Sequence, residues 1–283
     1  MKFAIFTVML PEWDIETALE KLKEYGYDGV EWRVTNTSPQ VAGQEPSFWG
    51  NNLCTVELDD VLERAGSLRE MSEAAGLETA ALAGYRTIDD YPAVETLLEA
   101  AQIMGAPLIR AGTPRYDGSV HHDKLFEKAR SGFEKMAPKA LEAGVKICLE
   151  THMGIISASA SAARRLLDGL DPQAVGVIYD PGNMVTEGYE DTKMGLEILG
   201  PYLAHVHAKN GAWVRMENTT SGGHPWSPGH HSALDEGIIN WKKVTDDLKA
   251  VGYDGYISFE DFSSGRTTEE KVAFNIEYMK SLL

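Results

Sequence analysis

Two textures alternate along the chain. Short apolar runs of strand length (FAIFTV, GVEWRV, ETAALAG, PLIRAG, VKICLE, VGVIYD, LAHVHAK and GYISFED) are separated by longer stretches with apolar residues at steps of three and four. The runs lack strict apolar–polar alternation, and near-continuous apolarity is what a parallel strand covered on both faces requires. The longer stretches predict amphipathic helices. Between Asp123 and Ala143, for example, Leu125, Ala129, Phe133, Met136 and Ala140 form one apolar face, and Pro138 is expected to kink or split that helix. Gly26, Gly76, Gly105, Gly144 and Gly252 stand where helices should close in a left-handed residue. The tetrapeptide GYDG, at 26–29 and again at 252–255, then reads as a helix stop and tight turn that launch the second and the eighth strand.

Eight strands alternating with eight helices predict an α/β fold, a single (β/α)8 TIM barrel formed by residues 1–283 as one domain. A doubly wound open sheet is the rival. It usually binds nucleotides through a glycine-rich first turn, and the segment after the first strand here, VMLPEWD, has no glycine. The N-terminal MKFAIFTVML reads as a buried first strand; its apolar run is short and leads into Pro11-Glu12-Trp13 without a small-residue cleavage site. The least regular stretch, from Asn210 to Gly237, reads as a long functional loop.

Charge narrows the partners. The 283 residues carry a formal charge of −17, which opposes nucleic-acid binding and attraction to anionic membranes. No stretch reaches the roughly 18 apolar residues of a membrane span. Only Cys54 and Cys148 are present, so no disulfide framework is expected and a reducing cytoplasm suits the chain.

In a barrel of this kind the active site lies at the C-terminal strand ends, and the ends here are polar. Arg110 ends the fourth strand, Glu150 and His152 the fifth, Asp180 the sixth; His205, His207 and Lys209 lie on the seventh and Glu260 ends the eighth. Each alone has a structural explanation, an ion pair or a helix cap. Together, Glu150, Asp180, His207 and Glu260 occupy one relative position on four successive strands and would converge on the axis. Three carboxylates would then repel one another, a conflict that a divalent cation removes. Three oxygens and one imidazole suit Mn2+, Mg2+ or Co2+, with Zn2+ not excluded by affinity.

These residues fall in the segments ICLETH, VIYDPGN, HVHAKN and EGIINWKKV…GYDGYISFED, and in them the chain resembles the xylose-isomerase-like barrels over essentially its whole length. That superfamily includes ketose 3-epimerases, hydroxypyruvate isomerases, inosose dehydratases and endonuclease IV. The resemblance implies one divalent metal, Mn2+ as first choice, on Glu150, Asp180, His207 and Glu260. It also implies proton transfer by Glu150 and Glu260 through a metal-stabilised enediolate. The implied partner is a small carbohydrate: a sugar, keto-sugar or cyclic polyol derivative. Isomerisation or epimerisation is the expected outcome, dehydration the alternative, and a homo-oligomer stays open. Arg110, His152, Asn183, Lys209, Trp213 and His230 are the expected substrate contacts, with an ion pair inside the barrel as the other reading of Arg110. Glu31, in the second-strand GVE, reads as a structural or supporting carboxylate, and His205 as a support one layer deeper. Three departures separate the chain from ketose 3-epimerases: Asn183 stands where they commonly have His, Ile156 where they have a substrate-binding Glu, and Trp213 where they have Arg.

Overall fold

The structure is a computed structural model that describes residues 1–216 and 225–283; the side chains of 228–230 are outside the description. Eight parallel strands close into a barrel: β1 (Lys2–Phe6), β2 (Gly29–Val34), β3 (Glu78–Thr87), β4 (Leu108–Gly112), β5 (Lys146–Glu150), β6 (Val175–Tyr179), β7 (Leu203–Ala208) and β10 (Tyr256–Phe259). β1 closes the ring between β10 and β2, with Ala4 beside both Ser258 and Gly29. The N-terminal apolar run is therefore a buried strand of the barrel.

The helices cover the ring as their apolar faces dictate. Asp14, Asp90 and Ser159 cap helices α1 (Ile15–Tyr25), α3 (Tyr91–Met104) and α5 (Ala160–Leu167) by accepting from backbone N–H groups, each cap contributing about 1 kcal/mol. Helix α2 is Val61–Ala75, and α4 (His122–Ala143) continues through Pro138 without being split. Gly26, Gly76, Gly105 and Gly144 close α1, α2, α3 and α4 in the left-handed region. Gly252 is left-handed too, but one residue beyond the cap of α8 (Trp241–Ala250), which is Val251.

Two departures from the simple repeat bear on the site. Strand β6 leads at once into a short helix, α6 (Pro181–Thr186), capped by Asp180, before α7 (Thr192–Leu199) covers the barrel. The stretch after β7, expected as a loop, is instead an antiparallel hairpin of β8 (Asn210–Arg215) and β9 (Trp226–Ser232). Asn210 fixes its base, donating to the carbonyls of Leu234 and Ile239 and accepting from the Ile239 N–H. Helix α9 (Thr268–Leu282) ends the chain from a reciprocal cap between Thr267 and Glu270. No helix among the described residues is long and apolar enough to cross a membrane.

Candidate functional site

The barrel interior is layered. Low in the ring, Ala81, Leu108, Cys148 and Ile178 form a small apolar cluster. Alternate residues of a strand share a face. Above Cys148 therefore stands Glu150, and above Ile178 stands Asp180. Likewise His205, His207 and Lys209 rise in order along β7 and beyond its end. Polarity thus begins where the strands approach their C-terminal ends.

There Glu150, Asp180, His207 and Glu260 each offer one atom within 4.8 Å of the others, and all four residues are buried. Asp180 reaches the centre through a local device. One oxygen caps α6 by accepting from the Asn183 N–H at 2.9 Å, which turns the other inward to Lys209 Nζ at 3.0 Å. Gly182 permits this approach, since a Cβ there would lie 2.7 Å from Lys209. Lys209 also pairs with Glu260. Arg110 donates to Glu150 Oε2 at 2.7 Å, and Asn183 donates to Glu150 Oε1 at 2.9 Å. Nδ1 of His207 faces the centre, 3.3 Å from Glu150, 3.8 Å from Glu260 and 4.0 Å from Asp180. Its Nε2 faces Glu31 at 3.1 Å, and His205 Nε2 meets the same carboxylate at 2.9 Å.

The charges do not balance. Glu31, Glu150, Asp180 and Glu260 confront Arg110 and Lys209, which leaves two negative charges if both imidazoles are neutral. The titrations reflect that excess. Burial, with Glu260 and Glu150 nearby, outweighs Lys209 and lifts Asp180 to about 6. Burial acts to lower the pKa of His207, but Glu31, Glu260 and Glu150 outweigh it and hold the group well above its ordinary range. Glu150 is drawn well below the usual carboxylate range because Arg110 and His207 overcome its burial. A divalent cation matches the excess in charge, and the donor set matches it in chemistry. The 4.8 Å spread is also compatible with bonds of roughly 2.0–2.6 Å to one centre. The cluster is thus a possible metal-binding site whose residues fit one ion.

Beside the cluster lies a cavity of about 510 Å³. Arg110, Glu150, His152, Lys209 and Glu260 line it, so four of the expected contact and base positions meet on its wall with a fifth, Arg110, serving both of its readings. Asn183 is fully buried behind the carboxylates, where its amide serves Glu150, Asp180 and Thr151 and accepts from Lys209. Trp213 does not line the cavity; its indole N–H donates to the Val185 carbonyl at 2.7 Å and pins the hairpin to α6. The His230 side chain lies outside the described residues, and its neighbour His231 lines the cavity. Sequence reasoning passed over one wall. Trp49, from the connection between β2 and α2, packs on Phe262 at 4.8 Å between ring centres, and Tyr85, Arg86 and Arg115 come from the ends of β3 and β4. The length of that connection, 35–60, was the available signal.

The fold and site together define a parallel (β/α)8 barrel with an acidic, imidazole-bearing centre at its C-terminal mouth. The chain belongs to the xylose isomerase-like TIM-barrel family, which it matches over residues 19–282. It is 26% identical over 222 residues to an inosose dehydratase of Geobacillus thermodenitrificans, covering 71% of this chain and 72% of the relative. A match to an inosose dehydratase of Lacticaseibacillus casei, also at 26%, spans only half of each protein, 51% of this chain and 50% of the relative. Among solved structures, the IOLI protein with a zinc atom superposes with a TM-score of 0.75 at 16% identity over 100% of this chain and 99% of that one. The 3-keto-D-glucoside 4-epimerase YcjR of E. coli superposes at 0.71 and 17%, over 99% of both chains. At these identities the structures establish the shared fold.

Proposed function

We propose that the protein is a divalent-metal-dependent enzyme that moves a proton at the carbon beside a carbonyl in a sugar, keto-sugar or cyclic polyol derivative, with isomerisation or epimerisation as the outcome. The observation that carries this reading is the meeting of Glu150 and Glu260 with Asp180 and His207 in one buried cluster, of which Glu150 and Glu260 also line the adjoining cavity. A metal ion held by these four residues, Mn2+ by preference and Mg2+, Co2+ or Zn2+ as alternatives, supplies electrophilic pull on a substrate carbonyl oxygen. The IOLI neighbour, with its zinc atom, supports a metal in a barrel of this shape.

The chain's own groups do the proton work. Glu150 and Glu260 belong to strands separated by β6 and β7 around the ring, so they approach the centre from different directions. One accepts the proton from carbon and the other returns one, as general base and general acid. Arg110 holds Glu150 ionised and able to accept. The Lys209 ammonium, raised in pKa because Asp180 and Glu260 overcome its burial, stays charged and can donate to a substrate oxygen. Trp49 and Phe262 present an aromatic wall that suits the apolar face of a sugar ring and excludes water.

A second reading, dehydration, is favoured by the relatives named inosose dehydratase. It shares the proton removal and then expels a hydroxyl from the adjacent carbon. Incubation of the Mn2+-loaded protein with keto-sugars and inososes in deuterated water, followed by NMR, separates the two. Deuterium beside the carbonyl in a product of unchanged formula identifies an isomerase or epimerase, whereas loss of water identifies the lyase. No exchange and no product across the panel would sink both.

A further inference from the structure

Two cations meet the acidic cluster, and they meet it on different kinds of oxygen. Arg110 donates at 2.7 Å to Glu150 Oε2, whereas His207 Nδ1 faces the other oxygen of that carboxylate, Oε1, at 3.3 Å. The guanidinium thus holds Glu150 by the oxygen turned away from the imidazole. Lys209 does the opposite. Its Nζ lies 3.0 Å from Asp180 Oδ2 and contacts Glu260 Oε2, and these same two oxygens stand 4.0 and 3.8 Å from His207 Nδ1. An ammonium therefore sits on the atoms that the cluster turns toward its imidazole.

The two oxygens differ in what else they bind. Glu260 Oε2 is buried and accepts no hydrogen bond, so its link to Lys209 is one of charge. Asp180 Oδ2 also accepts from the Asn183 amide at 2.8 Å, while Oδ1 is committed to the α6 cap. A carboxylate oxygen offers about two lone-pair sites, so Asp180 Oδ2, with an amide and an ammonium upon it, is already fully engaged. Of these two neighbours the Asn183 amide is fixed, since it is fully buried and also serves Glu150 and Thr151. Lys209 carries its charge on a flexible stem. That stem starts against Gly182, where an added Cβ would lie 2.7 Å away; the residue lines the cavity, with Nζ 5.3 Å from the Phe262 ring centre.

We propose that Lys209 is a tethered counter-cation that Asp180 and Glu260 exchange for the divalent ion, and that the released ammonium turns to the cavity to bind a substrate oxygen. The proposal rests on the metal-dependent reading above and deepens it: contact between Lys209 and substrate becomes conditional on a filled metal site. Two arguments fix the direction of the exchange. A divalent cation and an ammonium on the same oxygens repel each other, and in a buried site that repulsion is little screened. Metal–oxygen bonds of roughly 2.0–2.6 Å are also shorter than the 3.0 Å between the ammonium and Asp180, so the doubly charged partner takes the shared atoms. A lysine that only oriented the two carboxylates would act in the other sense, and its removal would weaken metal binding.

The test reads metal binding and stability, so it does not depend on turnover. Mn2+ affinities of the wild type and of Lys209→Met, which removes the charge and keeps an unbranched stem, are measured by competition with a chromophoric chelator. Thermal melts of each protein are recorded with and without Mn2+. Lys209→Met should bind Mn2+ about tenfold to hundredfold more tightly, the worth of the charge-assisted contact that the ion no longer displaces. It should melt below the wild type without Mn2+ and close to it with Mn2+. Equal or weaker Mn2+ binding by the folded variant would overturn the inference, whereas a variant that folds only with Mn2+ would sustain it. For a variant that folds under neither condition, the wild type decides. Reductive methylation by formaldehyde, read by mass spectrometry, should then modify Lys209 faster in the Mn2+-loaded protein, and an unchanged rate would overturn the inference. A wild type that binds no Mn2+ would remove the metal-dependent reading with it; Mn2+ binding that Lys209→Met leaves unchanged removes the exchange alone.

Discussion

Glu31→Gln is the change that most directly probes how the centre is assembled. Glu31 is fully buried on β2 and accepts from His207 Nε2 at 3.1 Å and His205 Nε2 at 2.9 Å. Burial alone would raise its pKa, but His207 and His205 overcome that and place it below the ordinary carboxylate range, so it is ionised at neutral pH. A proton on His207 Nε2, donated to Glu31, leaves the Nδ1 lone pair directed at Glu150, Asp180 and Glu260. Glutamine of the same shape has one acceptor oxygen and one donor nitrogen. It can serve one imidazole and must turn an N–H toward the other.

The loss of one charge-assisted hydrogen bond costs about 1.5–3 kcal/mol. If it falls on the orientation of His207, it corresponds to about a tenfold to hundredfold loss of metal affinity, the range typical of residues that orient metal-bound histidines. Competition titrations with a chromophoric chelator measure the affinity, and 15N NMR of the imidazoles reports which nitrogen carries the proton. Far-UV circular dichroism separates this from misfolding. A folded Glu31→Gln protein with wild-type metal affinity and an unchanged His207 tautomer would refute the reasoning and leave Glu31 a packing residue.

Three further outcomes follow from the same geometry. Asp180→Asn keeps an oxygen for the α6 cap but removes one charge from the centre, so metal affinity should fall by at least tenfold while the fold persists, as read by the same titration. Glu150→Gln and Glu260→Gln retain oxygen donors. Each should lose about 10²–10⁴-fold in turnover at full metal occupancy, and near-normal activity in either would remove that glutamate from the proton transfer. Cys148, pushed up to about 12 by burial, and Cys54, raised further by its burial, should stay unreactive toward a disulfide reagent near pH 8 until the chain unfolds; stoichiometric labelling of the native protein would contradict the packing around them.

Barrel and centre were legible in the sequence for one reason: both follow from local periodicity. Apolar runs gave the strands, and a polar residue at each run's end placed Glu150, Asp180, His207 and Glu260 at one height before any contact was known. What stayed hidden depends on contacts far apart in the chain. Glu31 meets His207 across 176 positions, and nothing in GVEW indicates that its carboxylate would be shared by two imidazoles. Asn183 illustrates a second limit. Its place three residues after Asp180 suggested a substrate contact, but the cap that starts α6 turns its amide inward to Glu150 and Asp180. Trp213 was read as part of a loop, whereas strand pairing in the hairpin commits its indole to Val185.

The same distinction explains why the four-residue cluster and the cavity wall differ in how readily they can be inferred. A centre that gathers three carboxylates needs each of them at a strand end, because only there does the barrel geometry bring side chains from four strands within 4.8 Å. The wall has no such constraint. Trp49 arrives from the connection after β2, Arg115 from beyond β4 and Phe262 from beyond β10. On the proposed reading, substrate choice would therefore reside in residues that the barrel presents but does not dictate. Exchanging Trp49 should alter sugar binding without loss of metal affinity, whereas exchanging Asp180 should weaken metal binding at the cluster itself.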